Sequence, residues 1–169
     1  MTLYDRLLVP TDGSPEGRRA VAHAIDLAAV HGAAVTAVYV VDTAKYSGLP
    51  METSWKGIDQ LFRSEAEDAL ETVESLAADR GVDVESTTVD GTPSAEICRL
   101  AETGEYDLIV MGTHGRGGID RLLLGSVAEK VVRRASIPVL TVRVGDAVDE
   151  AATGDAEPGG TPATDFPTG

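Results

Sequence analysis

One stretch of this chain is suited to holding an anion: Gly112-Thr113-His114-Gly115-Arg116-Gly117-Gly118-Ile119-Asp120-Arg121-Leu122-Leu123-Leu124-Gly125-Ser126. Five of its fifteen residues are glycine, and glycine lets a backbone come close to a ligand or take positive φ. An apolar run, Leu108-Ile109-Val110-Met111, precedes it with the length and branching of a buried strand. Residues 127–135 follow it, with apolar side chains at helical spacing from Val127 on. A glycine-rich loop between a strand and a helix N-terminus offers unpaired N–H groups and the positive end of a dipole, the chemistry of a phosphate site. Ser126 adds a hydroxyl there, as N-cap or as phosphate ligand. Thr113 offers a second hydroxyl, and Arg116 a cation that a solvated loop could equally explain. His114 has no Ser/His/Asp or Cys/His pattern around it.

Two other segments stand at predicted strand ends, where ligands of open parallel sheets bind. Pro10-Thr11-Asp12-Gly13 follows the first strand, and Val40-Val41-Asp42 closes the second. Asp12 could close an Asx-turn. It could instead accept ribose hydroxyls or hold Mg2+, directly or through a ligand. Ser14 is a predicted N-cap, with Pro15 at the first helical position.

The elements that must position these residues alternate. Strands are predicted at about residues 3–9, 34–41, 82–89, 107–111 and 138–144. Helices are predicted from Ser14 to His31, ending at Gly32, then at about 58–80, 94–103 and 127–135. The long second helix has an apolar stripe of Leu61, Phe62, Ala66, Ala69, Leu70, Val73, Leu76 and Ala77. The third strand is the most polar, which places it near an edge. Alternation with buried apolar strands implies an α/β, Rossmann-like fold, a parallel sheet with helices on both faces. Residues 1–145 form the expected domain. Residues 146–169, with six acidic and no basic residues, read as a disordered acidic tail.

Composition excludes some partners. Twenty-eight acidic against 14 basic residues give a net charge of −14, which argues against nucleic acid. High acidity with three lysines (Lys45, Lys56 and Lys130) is also halophile-like, since dense salt screens self-repulsion. No apolar run approaches the ~20 residues of a membrane span, and no charged, apolar leader is evident, so a cytoplasmic protein without membrane contact is expected. The single cysteine, Cys98, is expected to be a small buried residue.

Common phosphate motifs are absent. There is no G-x-x-x-x-G-K-[ST], no G-x-G-x-x-G after the first strand, no S-G-G-x-D-S and no H-x-G-H. What remains is G-x2-G-x9-G-S, at Gly112, Gly115, Gly125 and Ser126. With Met111 before it and Pro138-Val139-Leu140 after the last helix, this spacing resembles the ATP-binding branch of the universal stress protein family. Val9-Pro10-Thr11-Asp12-Gly13-Ser14, Val40-Val41-Asp42 and Gly91-Thr92-Pro93 extend the resemblance over about residues 3–144.

The resemblance implies a sheet of order 3-2-1-4-5 and a homodimer, with pairing through residues 138–144. It implies an adenine nucleotide (ATP, ADP or AMP), with Asp12 and the Val40 backbone at ribose and adenine. Gly112 and Gly115 would let the chain pass the ribose and phosphates, and Gly125 and Ser126 would hold the phosphates. Pro10, Thr11, Met111, Thr113, His114, Arg116 and Val127 complete the expected binding set. The function it implies is a dimeric, nucleotide-holding regulator or sensor of stress. A slow ATPase or phosphotransferase, and a scaffold that binds nothing, are the alternatives. No dedicated lysine or base argues for efficient turnover.

Overall fold

The computed structural model describes residues 2–45, 55–114 and 124–143. Residues 46–54, the loop 115–123 and the segment from Val144 onward, with the predicted acidic tail, lie outside the described residues.

Five strands form a single parallel sheet: β1 (Arg6–Pro10), β2 (Ala34–Asp42), β3 (Val84–Gly91), β4 (Leu108–Gly112) and β5 (Val139–Val142). Their order is β3-β2-β1-β4-β5. Four helices connect them: α1 (Pro15–His31), α2 (Trp55–Arg80), α3 (Pro93–Thr103) and α4 (Ser126–Arg134). The polar third strand is indeed an edge strand. β1 is central because it is apolar on both faces. Leu7 and Val9 pack into the core under α1 and α2, and Leu8 into the core under α3 and α4.

Local chemistry sets the element ends. Ser14 caps α1, accepting from the Gly17 N–H at 3.0 Å, with Pro15 in the first turn. Gly32 stops α1 in the left-handed region at φ 66°, and its N–H donates to the Ala28 carbonyl; a side chain there would be strained. β1 begins at Arg6, later than the predicted Leu3, because β2 starts opposite Arg6 at Ala34 and leaves the earlier residues no partner in the ladder. Leu3 is 72% exposed.

The stripe predicted for α2 needs one correction. Ala66, Ala69, Leu70, Val73 and Ala77 are buried, but Leu61 is 58% exposed. The inward line runs through Phe62 and Ala66 at i, i+4 spacing, so the position before Phe62 is turned about 100° out of it. Cys98 is buried, as expected. Burial pushes its thiol pKa up, the nearby Glu102 charge adds to the rise, and Arg134 opposes it.

β1 and β4 pair over a short register, Leu7 with Leu108 and Leu8 with Ile109. A side chain extends it at the amino end. Asp107 Oδ2 accepts from the Asp5 N–H at 2.8 Å and the Arg6 N–H at 2.9 Å. Charge-assisted bonds of this kind contribute about 1.5–3 kcal/mol each, less where water competes. Asp107→Ala is therefore expected to lower unfolding stability by about 1–3 kcal/mol, read by chemical denaturation. Asp107→Asn, which keeps one acceptor oxygen, should lose less.

Candidate functional site

The sheet order places the site. α1 leaves β1 toward one face, and α4, beyond the loop that follows β4, packs on the other, so the chain diverges where the two strands lie side by side. A crevice opens at their carboxyl ends, the switch point of a doubly wound sheet. A cleft of about 410 Å³ lies there, within the ~300–1,000 Å³ typical of small-molecule sites.

Its lining unites the three predicted segments. Pro10, Thr11 and Asp12 come from β1 and its exit, Val40 from β2, and Met111, Gly112, Thr113 and His114 from β4 and its exit. Gly125, Ser126 and Val127 come from the start of α4. Gly115 and Arg116 lie outside the described residues. Six further lining residues matter here and were not singled out as ligands by the sequence: Gly17, Tyr39, Lys45, Phe62, Glu65 and Ile97. Lys45 ends a single 3-10 turn, Thr43–Lys45, just after β2. Its nearness to a strand end was the available signal. Phe62 and Glu65 arrive from α2, far along the chain, and carried no local signal.

Asp12 is held in an Asx-turn. Its Oδ1 accepts from the Ser14 N–H at 2.9 Å, and Thr11 Oγ1 accepts from the Gly13 N–H at 3.2 Å. Gly13 takes φ 73°, which only glycine adopts without strain. Gly17 leaves space beside this turn, since a Cβ there would lie 2.9 Å from Asp12 Oδ1. Asp12 therefore closes the Asx-turn weighed for it, with Oδ1 committed to the turn.

The loop after β4 is fastened at its base. The Thr113 N–H donates to the Val142 carbonyl at 3.2 Å, and the Gly125 N–H donates to the Thr113 carbonyl at 2.7 Å. These bonds place Gly112 and Thr113 beside Gly125 and Ser126 across eleven intervening residues. Thr113 Oγ1 and His114 Nδ1 lie 3.0 Å apart.

One expectation is corrected here. Gly125, not Ser126, is the N-cap of α4, extended at φ −61° and ψ 156°, so Ser126 is the first helical residue and its hydroxyl does not cap. At Gly112, an added Cβ would lie 3.4 Å from the His114 carbonyl oxygen and 3.7 Å from that of Glu16. That is ordinary contact, so the protein's own packing does not demand glycine there.

Three helix N-termini contribute to the cleft, and among them only α4 begins without proline. α1 begins with Pro15, which has no N–H, carries Glu16 in its first turn, and is capped by Ser14. α3 begins with Pro93 and carries Glu96. α4 begins with Ser126, Val127 and Ala128, all with N–H groups that have no intrahelical acceptor. All three line the cleft. Each of the three carries a first-turn carboxylate, Glu16, Glu96 and Glu129, and α4 alone of them keeps the N–H of its first residue, which favours an anion there by dipole and donors together. Among the described residues no group of three or more His, Cys, Asp or Glu could hold a metal ion, and no helix is long and apolar enough to cross a membrane.

Comparison with known proteins agrees in fold and length. The universal stress protein family matches residues 3–143. The universal stress protein MJ0531 of Methanocaldococcus jannaschii is 45% identical over 141 residues, 83% of each chain. The structure of the hypothetical protein MJ0577, used for a structure-based assignment of biochemical function, superposes with a TM-score of 0.76 at 29% identity, covering 86% of this chain and 100% of that one. A universal stress protein in complex with cAMP superposes with a TM-score of 0.66 at 28% identity, covering 83% and 98%.

The buried cap at α1 anchors the Asp12 turn. Ser14→Ala is expected to lower stability by about 1 kcal/mol, measured as a drop in Tm, while Ser14→Asp, a competent cap, should recover part of it.

Proposed function

The chain belongs to the universal stress protein family, and from that premise we propose that the cleft binds an adenine nucleotide and that the protein acts as a dimeric, nucleotide-occupied regulator of stress survival. One observation carries this: an open helix N-terminus, at α4, faces a cleft whose opposite end is apolar. The phosphates sit on the Ser126, Val127 and Ala128 amides, with the Ser126 hydroxyl and Gly125 beside them. The base sits toward Val40, Val38 and Ile97, and Asp12 takes the ribose hydroxyls between. β2 and β4 are two strand steps apart, ~10 Å at the usual spacing, comparable with the reach from a purine across its ribose to the first phosphate. The cAMP complex of a related universal stress protein supports an adenine nucleotide as the ligand class. Gly112, Thr113 and His114 border the phosphate path, Pro10, Thr11, Met111 and Val127 form its walls, and Gly115 and Arg116, outside the described residues, complete the proposed binding set. A Mg2+ would bind through the phosphates, with Asp12 reaching it indirectly, in the manner of sites built from few protein ligands.

The two sheet edges differ in a way that favours one homodimer. β3 and the residue before it carry Asp83, Glu85 and Asp90, so β3–β3 pairing would face carboxylate with carboxylate. β5, Val-Leu-Thr-Val, carries no charge, and its four residues are only partly buried. Two strongly acidic chains therefore meet with least repulsion through β5, within the expected residues 138–144.

Mass spectrometry of the denatured, purified protein is expected to show released adenine nucleotide. Adding nucleotide to the stripped protein should raise Tm by mass action; no release and no Tm effect would sink the nucleotide proposal. Ser126→Pro is the sharper test, because it gives α4 the proline start that α1 and α3 already have. Gly125 is extended, as a residue before proline should be, so the fold and its unliganded Tm should persist. The lost N–H and hydroxyl should weaken nucleotide binding by roughly ten-fold or more. Ser126→Ala, which keeps the N–H, should fall between.

For the dimer, Thr141→Glu places a carboxylate on a strand of four residues that would pair with its own copy. Light scattering should show a shift from dimer to monomer; an unchanged dimer would move the interface away from β5.

A further inference from the structure

The charges around the cleft run against its proposed ligand. Its described lining holds three carboxylates, Asp12, Asp42 and Glu65, against one ammonium, Lys45. The whole chain stands at −14. The anion end is built from the neutral amides of Ser126, Val127 and Ala128, which are a dipole and not a net charge. Phosphate sites built on Lys and Arg attract polyanions from a distance and lose affinity as salt screens that attraction. The described lining here offers a phosphate short-range donors together with a net negative side-chain charge.

We infer that the cleft takes its nucleotide with the phosphate charge already neutralised by cations, so that occupancy rises with ionic strength instead of falling. This rests on the nucleotide-binding proposal and adds the ligand's charge state and the sign of its response to salt. Repulsion scales with ligand charge. Free ATP, a polyanion, is then the most salt-dependent ligand. A cyclic mononucleotide, with a single negative charge, depends on salt least. A divalent cation paired with the phosphates substitutes for high salt. Asp42 and Glu65 set the repulsion from the β2 and α2 side, and Lys45 offsets part of it.

Equilibrium binding of free ATP, Mg-ATP and cAMP tests this, at KCl concentrations where circular dichroism shows the native fold. Between about 0.3 M and about 2 M KCl, free ATP should gain roughly ten-fold in affinity, cAMP less than about three-fold, with Mg-ATP between them, as screening shortens the reach of the carboxylates. At fixed low salt, Asp42→Asn with Glu65→Gln should tighten free ATP several-fold and flatten its salt slope, whereas Lys45→Gln should steepen it. Affinity that falls with KCl would overturn the inference and leave nucleotide binding standing; it would mean that Arg116 and Arg121 of the glycine-rich loop dominate the field. An unchanged salt slope in the double variant would also overturn it. Absence of binding by every nucleotide at every salt would overturn the nucleotide proposal itself.

Discussion

Two backbone hydrogen bonds at Thr113 tie the site together. Its N–H reaches the Val142 carbonyl at the end of β5, and its carbonyl takes the Gly125 N–H at the threshold of α4. One residue thus fixes the exit of β4, the end of β5 and the start of α4. Such bonds use no side chain, so they constrain position without constraining residue type. β5 is part of the same fastening, so whatever pairs with its outer edge also stiffens the base of the loop. The proposed dimer edge and the proposed ligand site share β5 for that reason.

The helix ends divide the labour around this base. Proline at the first position costs α1 and α3 no helical hydrogen bond, because that N–H would be unpaired anyway. It does remove a donor from the cleft, and Glu16 and Glu96 take the positive ends of those dipoles. α4 lacks the proline. Its first-turn acid, Glu129, holds the place that Glu96 holds in α3, and each is paired with an arginine, Glu129 with Arg133 at 2.6 Å and Glu96 with Arg99 at 2.8 Å. Proline at the first position therefore removes one donor from each of two helix starts and leaves α4 with its full set.

Much of this was legible in the sequence. The β-α alternation, the Ser14-Pro15 start and the Gly32 stop of α1 are local signals, each satisfied by groups within a few residues. The glycine spacing located both ends of the loop. The cap of α4 was displaced by one residue, from Ser126 to Gly125, because serine is the better cap in isolation and the Thr113 carbonyl, remote in sequence, fixed Gly125 in an extended conformation instead. Leu61 was assigned to the core by hydropathy, while its exposure was set by the angular position of α2 over β2. Lys45, Phe62 and Glu65 were not legible as cleft residues, since their place there depends on how β2 and α2 pack at the sheet's end. Strand order itself came from family resemblance, because alternation alone is compatible with other windings.

The acidic composition and the amide cradle are consistent with one another. Long-range attraction by lysine and arginine is weak where the Debye length falls to ~3 Å, as it does near 1 M salt. A hydrogen bond from a backbone amide acts over about that same distance and survives the screening. A phosphate site built from α4 amides therefore loses little in a concentrated electrolyte, where one built from cations would lose most of its reach. The same screening removes the repulsion between chains of charge −14, which permits the uncharged β5 edge to meet its copy. Charge keeps the molecule dispersed, and salt makes both of its proposed contacts possible, because each depends on short-range backbone donors and acceptors in place of side-chain charge.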